Sequence, residues 1–252
     1  MKKYLLECCV DSVESAIEAQ AGGANRLELC SNLIIGGTTP TLALFKEVRK
    51  NCSLPIHVLI RPRFGDFLYT EHEANIIENE IKMYRDAGAE GVVIGSLNSD
   101  GTLNMAQMTR FMECTKGMSV TLHRAFDMCK DALLTLEQAK ELKINTILTS
   151  GLAPNCLEGM DILQQLCDKS EGKITILAGS GIHADAVKTL LKKTSLTHFH
   201  MSGKKVIESS MVYRNLKVSM GLPGISEYDI WRTAENEIRS VRSLLDLAES
   251  SQ

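Results

Sequence analysis

Residues 4–30, YLLECCVDSVESAIEAQAGGANRLELC, hold one complete structural repeat. A short apolar run, Tyr4 to Val10, leads into an amphipathic stretch, and a second run, Arg26 to Cys30, follows. The two runs read as strands and the middle as a helix. Asp11-Ser12-Val13-Glu14 fits a capping box, in which a side-chain oxygen accepts an orphan amide and the later glutamate reaches back. Gly22-Gly23 stands where that helix should end.

The same unit recurs outward from this stretch. Strands are expected at about 4–10, 26–30, 56–61, 91–95, 119–124, 146–150, 174–178 and 197–202, with starts 22, 30, 35, 28, 27, 28 and 23 residues apart. Thr70-Glu71-His72-Glu73 gives another capping box, and Thr39-Pro40 a cap followed by proline at the first helical position. Gly88 and Gly172 mark further helix ends. No linker, low-complexity tract or charge block interrupts the 252 residues. Eight βα units in one run predict an α/β protein, a (β/α)8 TIM-like barrel over residues 1–252 as one domain. A doubly wound open sheet is the alternative, because alternation does not show closure. After the eighth strand come a longer, less periodic stretch, Gly203 to Ser226, and a final helix from about Glu227 to Glu249.

The chain is 44% hydrophobic and 23% charged with a net charge of -3, which excludes a general electrostatic grip on nucleic acid or an anionic membrane. No apolar stretch approaches the roughly 18 to 20 residues of a membrane span. The opening Met1-Lys2-Lys3-Tyr4-Leu5-Leu6 is not read as a signal peptide, because Glu7 and Asp11 break the apolar run and no cleavage pattern follows. A cytoplasmic protein with reduced cysteines is expected. None of Cys8, Cys9, Cys30, Cys52, Cys114, Cys129, Cys156 and Cys167 forms a Cys-x-x-Cys pair, which excludes a zinc-finger or thioredoxin-type motif.

Residues two apart on a strand share a face. One face of the first strand carries Glu7 and Cys9, against Leu6, Cys8 and Val10. The second sets Arg26, Glu28 and Cys30 against Leu27 and Leu29; the third sets His57, Leu59 and Arg61 against Ile56, Val58 and Ile60. The fifth offers Thr121 and His123, the eighth His200 and Ser202. Helices outside the barrel claim the apolar faces, so Glu7, Glu28, His57, Arg61, His123 and His200 converge on the lumen with Cys9 and Cys30. Burying so many ionisable groups is costly unless they pair or bind something. A structural explanation would bond Glu7 and Glu28 to Arg61 and the histidines. Glu28, Arg61, His123 and His200 sit late in their strands, where barrel enzymes keep their chemistry; Glu7 and His57 lie deeper.

Ala178-Gly179-Ser180-Gly181 and Ser202-Gly203 follow strands seven and eight, the loops with which barrels often bind phosphate. Arg61-Pro62-Arg63 and His123-Arg124 add cationic donors at the same end. Arg63 and Arg124 could instead pair with Asp66 and Asp127. Walker, Gly-x-Ser-x-Gly, His-Glu-x-x-His and dinucleotide signatures are absent, so no organic cofactor is indicated. His198 begins its strand and is expected to be exposed. The 11 methionines read as core filler.

Several motifs follow one another in order: Glu7-Cys8-Cys9-Val10-Asp11-Ser12-Val13-Glu14-Ser15, Arg26-Leu27-Glu28-Leu29-Cys30-Ser31, Gly36-Gly37-Thr38-Thr39-Pro40, Ile60-Arg61-Pro62-Arg63, Gly65-Asp66-Phe67, Thr121-Leu122-His123-Arg124-Ala125-Phe126-Asp127, Leu148-Thr149-Ser150-Gly151 and Phe199-His200. With Ser226-Glu227-Tyr228, the chain from about Tyr4 to Leu247 resembles the CutC family of copper homeostasis proteins. The resemblance implies a TIM-like barrel, a cytoplasmic location, self-association into a homo-oligomer and a role in copper handling. It also implies copper(I) binding through cysteines, and Cys9 and Cys30 match the family's cysteine positions. Thiolate ligation suits the softness of copper(I). Phe64 stands where the family has glycine, Ser180 interrupts a glycine triplet, and Cys8 replaces valine.

Three readings stay open. Copper(I) would sit on Cys9 and Cys30. A barrel enzyme acting on a small anionic metabolite would hold its substrate with Arg61, Arg63, Arg124, Gly179, Gly181 and Ser202. Its catalytic candidates are Glu7, Glu28, His123 and His200, with Glu28 and His123 exchanging protons. A non-catalytic scaffold would keep the polar lumen for structure alone.

Overall fold

The computed structural model describes residues 3–221 and 224–250; Met1 and Lys2 of the opening segment, and residues 222–223 of the stretch after strand eight, lie outside them. The first strand, β1 (Leu5–Val10), pairs with β2 (Arg26–Leu29) on one edge and β8 (His198–Met201) on the other. Between them run β3 (Ile56–Leu59), β4 (Gly91–Ile94), β5 (Ser119–Leu122), β6 (Thr146–Thr149) and β7 (Thr175–Ala178), all parallel and in chain order. The sheet is therefore a closed barrel and not a doubly wound open sheet. Each strand lies within two residues of its expected position at either end.

The helices alternate with the strands: α1 (Val13–Ala21), α2 (Leu42–Asn51), α3 (Glu71–Asp86), α4 (Met105–Cys114), α5 (Ala132–Glu141), α6 (Met160–Ser170) and α7 (Ala184–Lys193). Their caps follow local chemistry. Thr70 and Glu73 form the expected reciprocal box on α3. On α1 the cap is Ser12, not Asp11: the Ser12 hydroxyl accepts from the Ser15 amide, while Asp11 accepts from the Leu33 amide in the neighbouring loop after β2. On α2 the cap is Thr41, two residues past the expected cap Thr39. Thr39 is taken up elsewhere, accepting from the Arg61 amide and donating to Glu80.

Two corrections concern the tail. Lys204–Glu208 forms β9, and Asp229–Thr233 forms β10, paired antiparallel. The final helix, α8 (Glu235–Ser250), thus begins well after Glu227. Pairing with β9 supplies the backbone partners that a helical turn would otherwise have provided. The Thr233 amide donates to Ser15 Oγ and its hydroxyl to the Ser202 carbonyl, fixing the hairpin on β8 and α1. From there α8 packs against α7 and α1 and completes the outer ring.

Two apolar regions result. Leu6, Cys8, Val10, Leu27, Leu29, Ile56 and Val58 join the large core between sheet and helices, as period-two alternation demands. Cys9, Cys30, Leu59 and Val93 form a separate small cluster inside the barrel. Around it Glu7, Glu28, His57, Thr121 and His123 are buried. Space for the His57 ring comes from its neighbour in the register, Gly91, where a Cβ would lie 2.6 Å from the imidazole. Gly91→Ala is therefore expected to cost about 1–3 kcal/mol by overpacking. Urea unfolding checks this, and adding His57→Ala should recover part of the loss.

Candidate functional site in the barrel lumen

Strand register builds the site. Glu7 lies opposite His200, Cys9 opposite Glu28, and Glu28 opposite His57, so four adjacent strands, β8, β1, β2 and β3, bring together side chains far apart in sequence. Cys9 Sγ donates to Glu28 Oε1 at 3.3 Å and lies 3.7 Å from Cys30 Sγ. Cys30 Sγ itself donates to the Val10 carbonyl. Ligand atoms of Cys9, Glu28 and His200 all fall within 4.8 Å of one another.

Beneath this cluster sits Glu7, fully buried. It accepts from Arg26 Nε at 2.5 Å and from His200 Nδ1 at 2.7 Å. Burial alone would raise its pKa, but Arg26 and His200 hold it well below the usual carboxylate range. Burial opposes protonation of His200, yet Glu28, Cys9 and Glu7 outweigh it and push its pKa well up. With Nδ1 occupied by Glu7, Nε2 is the atom His200 has left for the site. Burial raises Glu28, and Glu28 Oε2 has no partner among the described residues. The Cys9 thiol is raised far above its ordinary value by its hydrogen bond to Cys30, then by burial.

A second group gathers around Phe67. The Arg61 guanidinium lies 5.0 Å over the Phe67 ring, and the His123 ring is 4.7 Å from it, centroid to centroid. His123 also caps a turn of 3₁₀-helix (Arg124–Met128), its Nδ1 accepting from the Ala125 amide at 3.1 Å.

A cavity of about 720 Å³ opens over both groups at the carboxyl ends of the strands. Of the residues expected at a site, Cys9, Glu28, Arg61, His123, Arg124, Gly181, His200 and Ser202 line it. Glu7, Cys30, Arg63 and Gly179 do not. Glu7 and Cys30 lie just behind lining residues, whereas Arg63 turns away to pair with Asp66 at 2.9 Å and with Glu73. A Cβ at Gly179 would meet Leu148 at 2.7 Å, so that glycine serves packing. Ser180 adopts a left-handed φ of 65° that favours glycine, and its hydroxyl donates to the Pro154 carbonyl. Of the other two departures, Phe64 is exposed and Cys8 is buried in the core between sheet and helices. Arg124 pairs with Asp127 at 2.7 Å while still lining the cavity.

The expected structural network is different in detail. Arg61 bonds carbonyls instead of Glu7 or Glu28, and Arg26 takes the role of cation to Glu7. Arg26 could have been found from its place two residues before Glu28 on the same face. Asp127, noted only as a partner for Arg124, also accepts from the Ser150 and Leu152 amides and both the Thr149 and Ser150 hydroxyls, tying the β5 and β6 loops together. Lys204 and Lys205 of β9 line the cavity too, and no local signal marked them. His198 is half-buried, not exposed, and meets Thr197 Oγ1 at 2.8 Å.

Fold and site together define a (β/α)8 barrel with a buried thiol and carboxylate and a partly buried imidazole clustered beside an arginine-lined cavity. The sequence pattern of the CutC family matches residues 4–205. A family protein CutC of Bacteroides fragilis (strain YCH46) is 44% identical over 254 residues, covering 99% of this chain and 98% of that protein. The copper homeostasis protein cutC homolog of Homo sapiens is 37% identical over 242 residues, covering 96% of this chain and 89% of that one. The crystal structure of CutC from Streptococcus agalactiae superposes with a TM-score of 0.75 at 26% identity, over 79% of this chain and 98% of that one. The chain belongs to the CutC family.

Proposed function

We propose that the protein binds copper(I) in the barrel lumen as part of copper homeostasis, the role carried by the names of its mouse and human relatives. The observation that supports this most is the 3.7 Å separation of Cys9 Sγ and Cys30 Sγ. Two metal–sulfur bonds of roughly 2.3 Å can meet at one ion across that gap. Glu28, whose buried Oε2 has no partner among the described residues, and His200 stand beside the Cys9 sulfur. Soft thiolates favour copper(I), and imidazole tolerates it.

Cys9 and Cys30 would hold the ion, with His200 Nε2 available as a further donor. The chain's own part is proton handling. The Cys9 thiol already points its proton at Glu28 Oε1, whose raised pKa suits it to receive that proton. A protonated thiol and a protonated His200 both oppose a cation, so metal uptake releases protons and apparent affinity should rise with pH. Among the described residues no helix is long and apolar enough to cross a membrane. Free cysteines, seven of them buried, suit a reducing compartment, and the reading carries a cytoplasmic, self-associating protein with it.

Titration of the reduced protein with copper(I) against a competing chelator tests this. The Cys9→Ala, Cys30→Ala double variant is expected to lose affinity by about 100-fold or more, since outer-shell partners alone are worth 10- to 100-fold. Unchanged affinity would overturn the assignment of the sulfurs.

A further inference from the structure

We propose that Arg61 and His123 form a binding site for a small oxyanion, the carboxylate or phosphate group of an organic ligand. The site is separate from the copper reading, whose sulfurs sit on β1 and at the end of β2.

Arg61 is 7% exposed. Its Nη1 donates to the Gly37 carbonyl at 3.0 Å and more weakly to Gly36, and its Nη2 to Gly65 at 2.6 Å. All three partners are neutral. Among the described residues no carboxylate pairs with it, and Nε, itself buried, has no partner. The Tyr69 phenol also lies beside the guanidinium, and burial keeps it neutral. A buried full charge facing carbonyls, a neutral phenol and a phenyl ring is incompletely compensated. The contrast with its neighbour is informative: Arg63, far more exposed, receives both Asp66 and Glu73.

His123 supplies the second donor. Because Nδ1 accepts the Ala125 amide, the ring proton belongs on Nε2, and Nε2 is buried without a partner among the described residues. Burial and the nearby Arg61 push its pKa down to about 3, so the ring is neutral and donates without gaining or losing a proton. In that neutral form it serves this site as a hydrogen-bond donor. Arg61 and His123 both line the cavity and both lie against Phe67. A cation with an unused N–H beside a neutral N–H donor recognises oxygen carrying negative charge. Lys204 and Lys205 at the rim favour the same sign of ligand, whereas Arg124 is already neutralised by Asp127.

The test uses the full chain, reduced and metal-free, titrated calorimetrically with inorganic phosphate and, separately, with acetate at constant ionic strength. Saturable binding of at least one probe is expected, accompanied by a shift of the His123 Nε2–H resonance. Phosphate alone points to a phosphorylated ligand, acetate alone to a carboxylate. Arg61→Lys keeps the charge and loses the fork. His123→Asn keeps a capping acceptor for Ala125 and loses Nε2. Each should weaken binding by about tenfold or more. The proposal is overturned if neither probe saturates, or if binding survives both substitutions, which would place it on the lysine rim. Should a variant fail to fold, the wild-type resonance decides: an unmoved His123 signal at saturation is equally fatal. Because no metal is present, the outcome is independent of the copper reading.

Discussion

Glu7→Ala is expected to destabilise the fold by about 3–5 kcal/mol, the scale for removing one partner of a buried ion pair. Glu7 is wholly buried and answers two cations, Arg26 at 2.5 Å and His200 at 2.7 Å. Without it, both would remain in the lumen with reduced compensation, and Arg26 Nη2 already lacks a partner among the described residues. The methyl group would also leave space at the base of the barrel. Glu7→Gln keeps the volume and one acceptor, so it should cost less while still lowering the pKa of His200. Urea unfolding measures the first effect, and histidine NMR titration the second. A loss below about 1 kcal/mol for the alanine variant would mean that Arg26 and His200 reach water, contrary to the geometry.

Acid is expected to erode the protein's stability from about pH 6.5 downward, before its carboxylates titrate. His57 and His123 are each 4% exposed. Burial, with Arg26 beside one and Arg61 beside the other, pushes their pKa values down to about 4 and about 3. In the unfolded chain both take up protons near pH 6.5. Between that value and the folded ones the unfolded state binds more protons, so stability falls as pH falls. At 1.36 kcal/mol per pH unit for each proton, each imidazole contributes on the order of 3–5 kcal/mol by the acid end. Total stabilities are about 5–15 kcal/mol. Glu7 does not act in this window: its pKa is depressed, so its contribution is lost only below the normal carboxylate range. His200, with a raised pKa, has the opposite sign, its contribution being lost as pH rises through its folded value. Urea unfolding at several values between pH 7.5 and pH 4.5 should show a steep loss, and His57→Asn should reduce the slope by about one proton. Stability that stays flat across this range would contradict two buried neutral imidazoles.

The lumen's composition was legible because strand periodicity is local: Glu7, Glu28, His57 and His200 each declare their face by position relative to Leu6, Leu27, Ile56 and Phe199. Pairing was not legible. Arg61 and Arg26 sit on the same face with the same charge, and only register puts Arg26 Nε against Glu7 and sends Arg61 to the carbonyls of Gly37 and Gly65. The tail failed for a related reason. Asp229–Thr233 has no strand signal strong enough to outweigh the helical pattern beyond it, and its state is set by Lys204–Glu208, about twenty residues away.

The repeat in residues 4–30, continued along the chain, therefore determined the alternation of strand and helix and the side of the sheet on which each ionisable group lies. Tertiary structure alone decided that the sheet closes, that Cys9 and Cys30 approach to 3.7 Å, and that Arg61 is buried with no counterion among the described residues. The physical reason is that faces follow from dihedral periodicity along one strand, whereas distances and charge pairing depend on the stagger between strands.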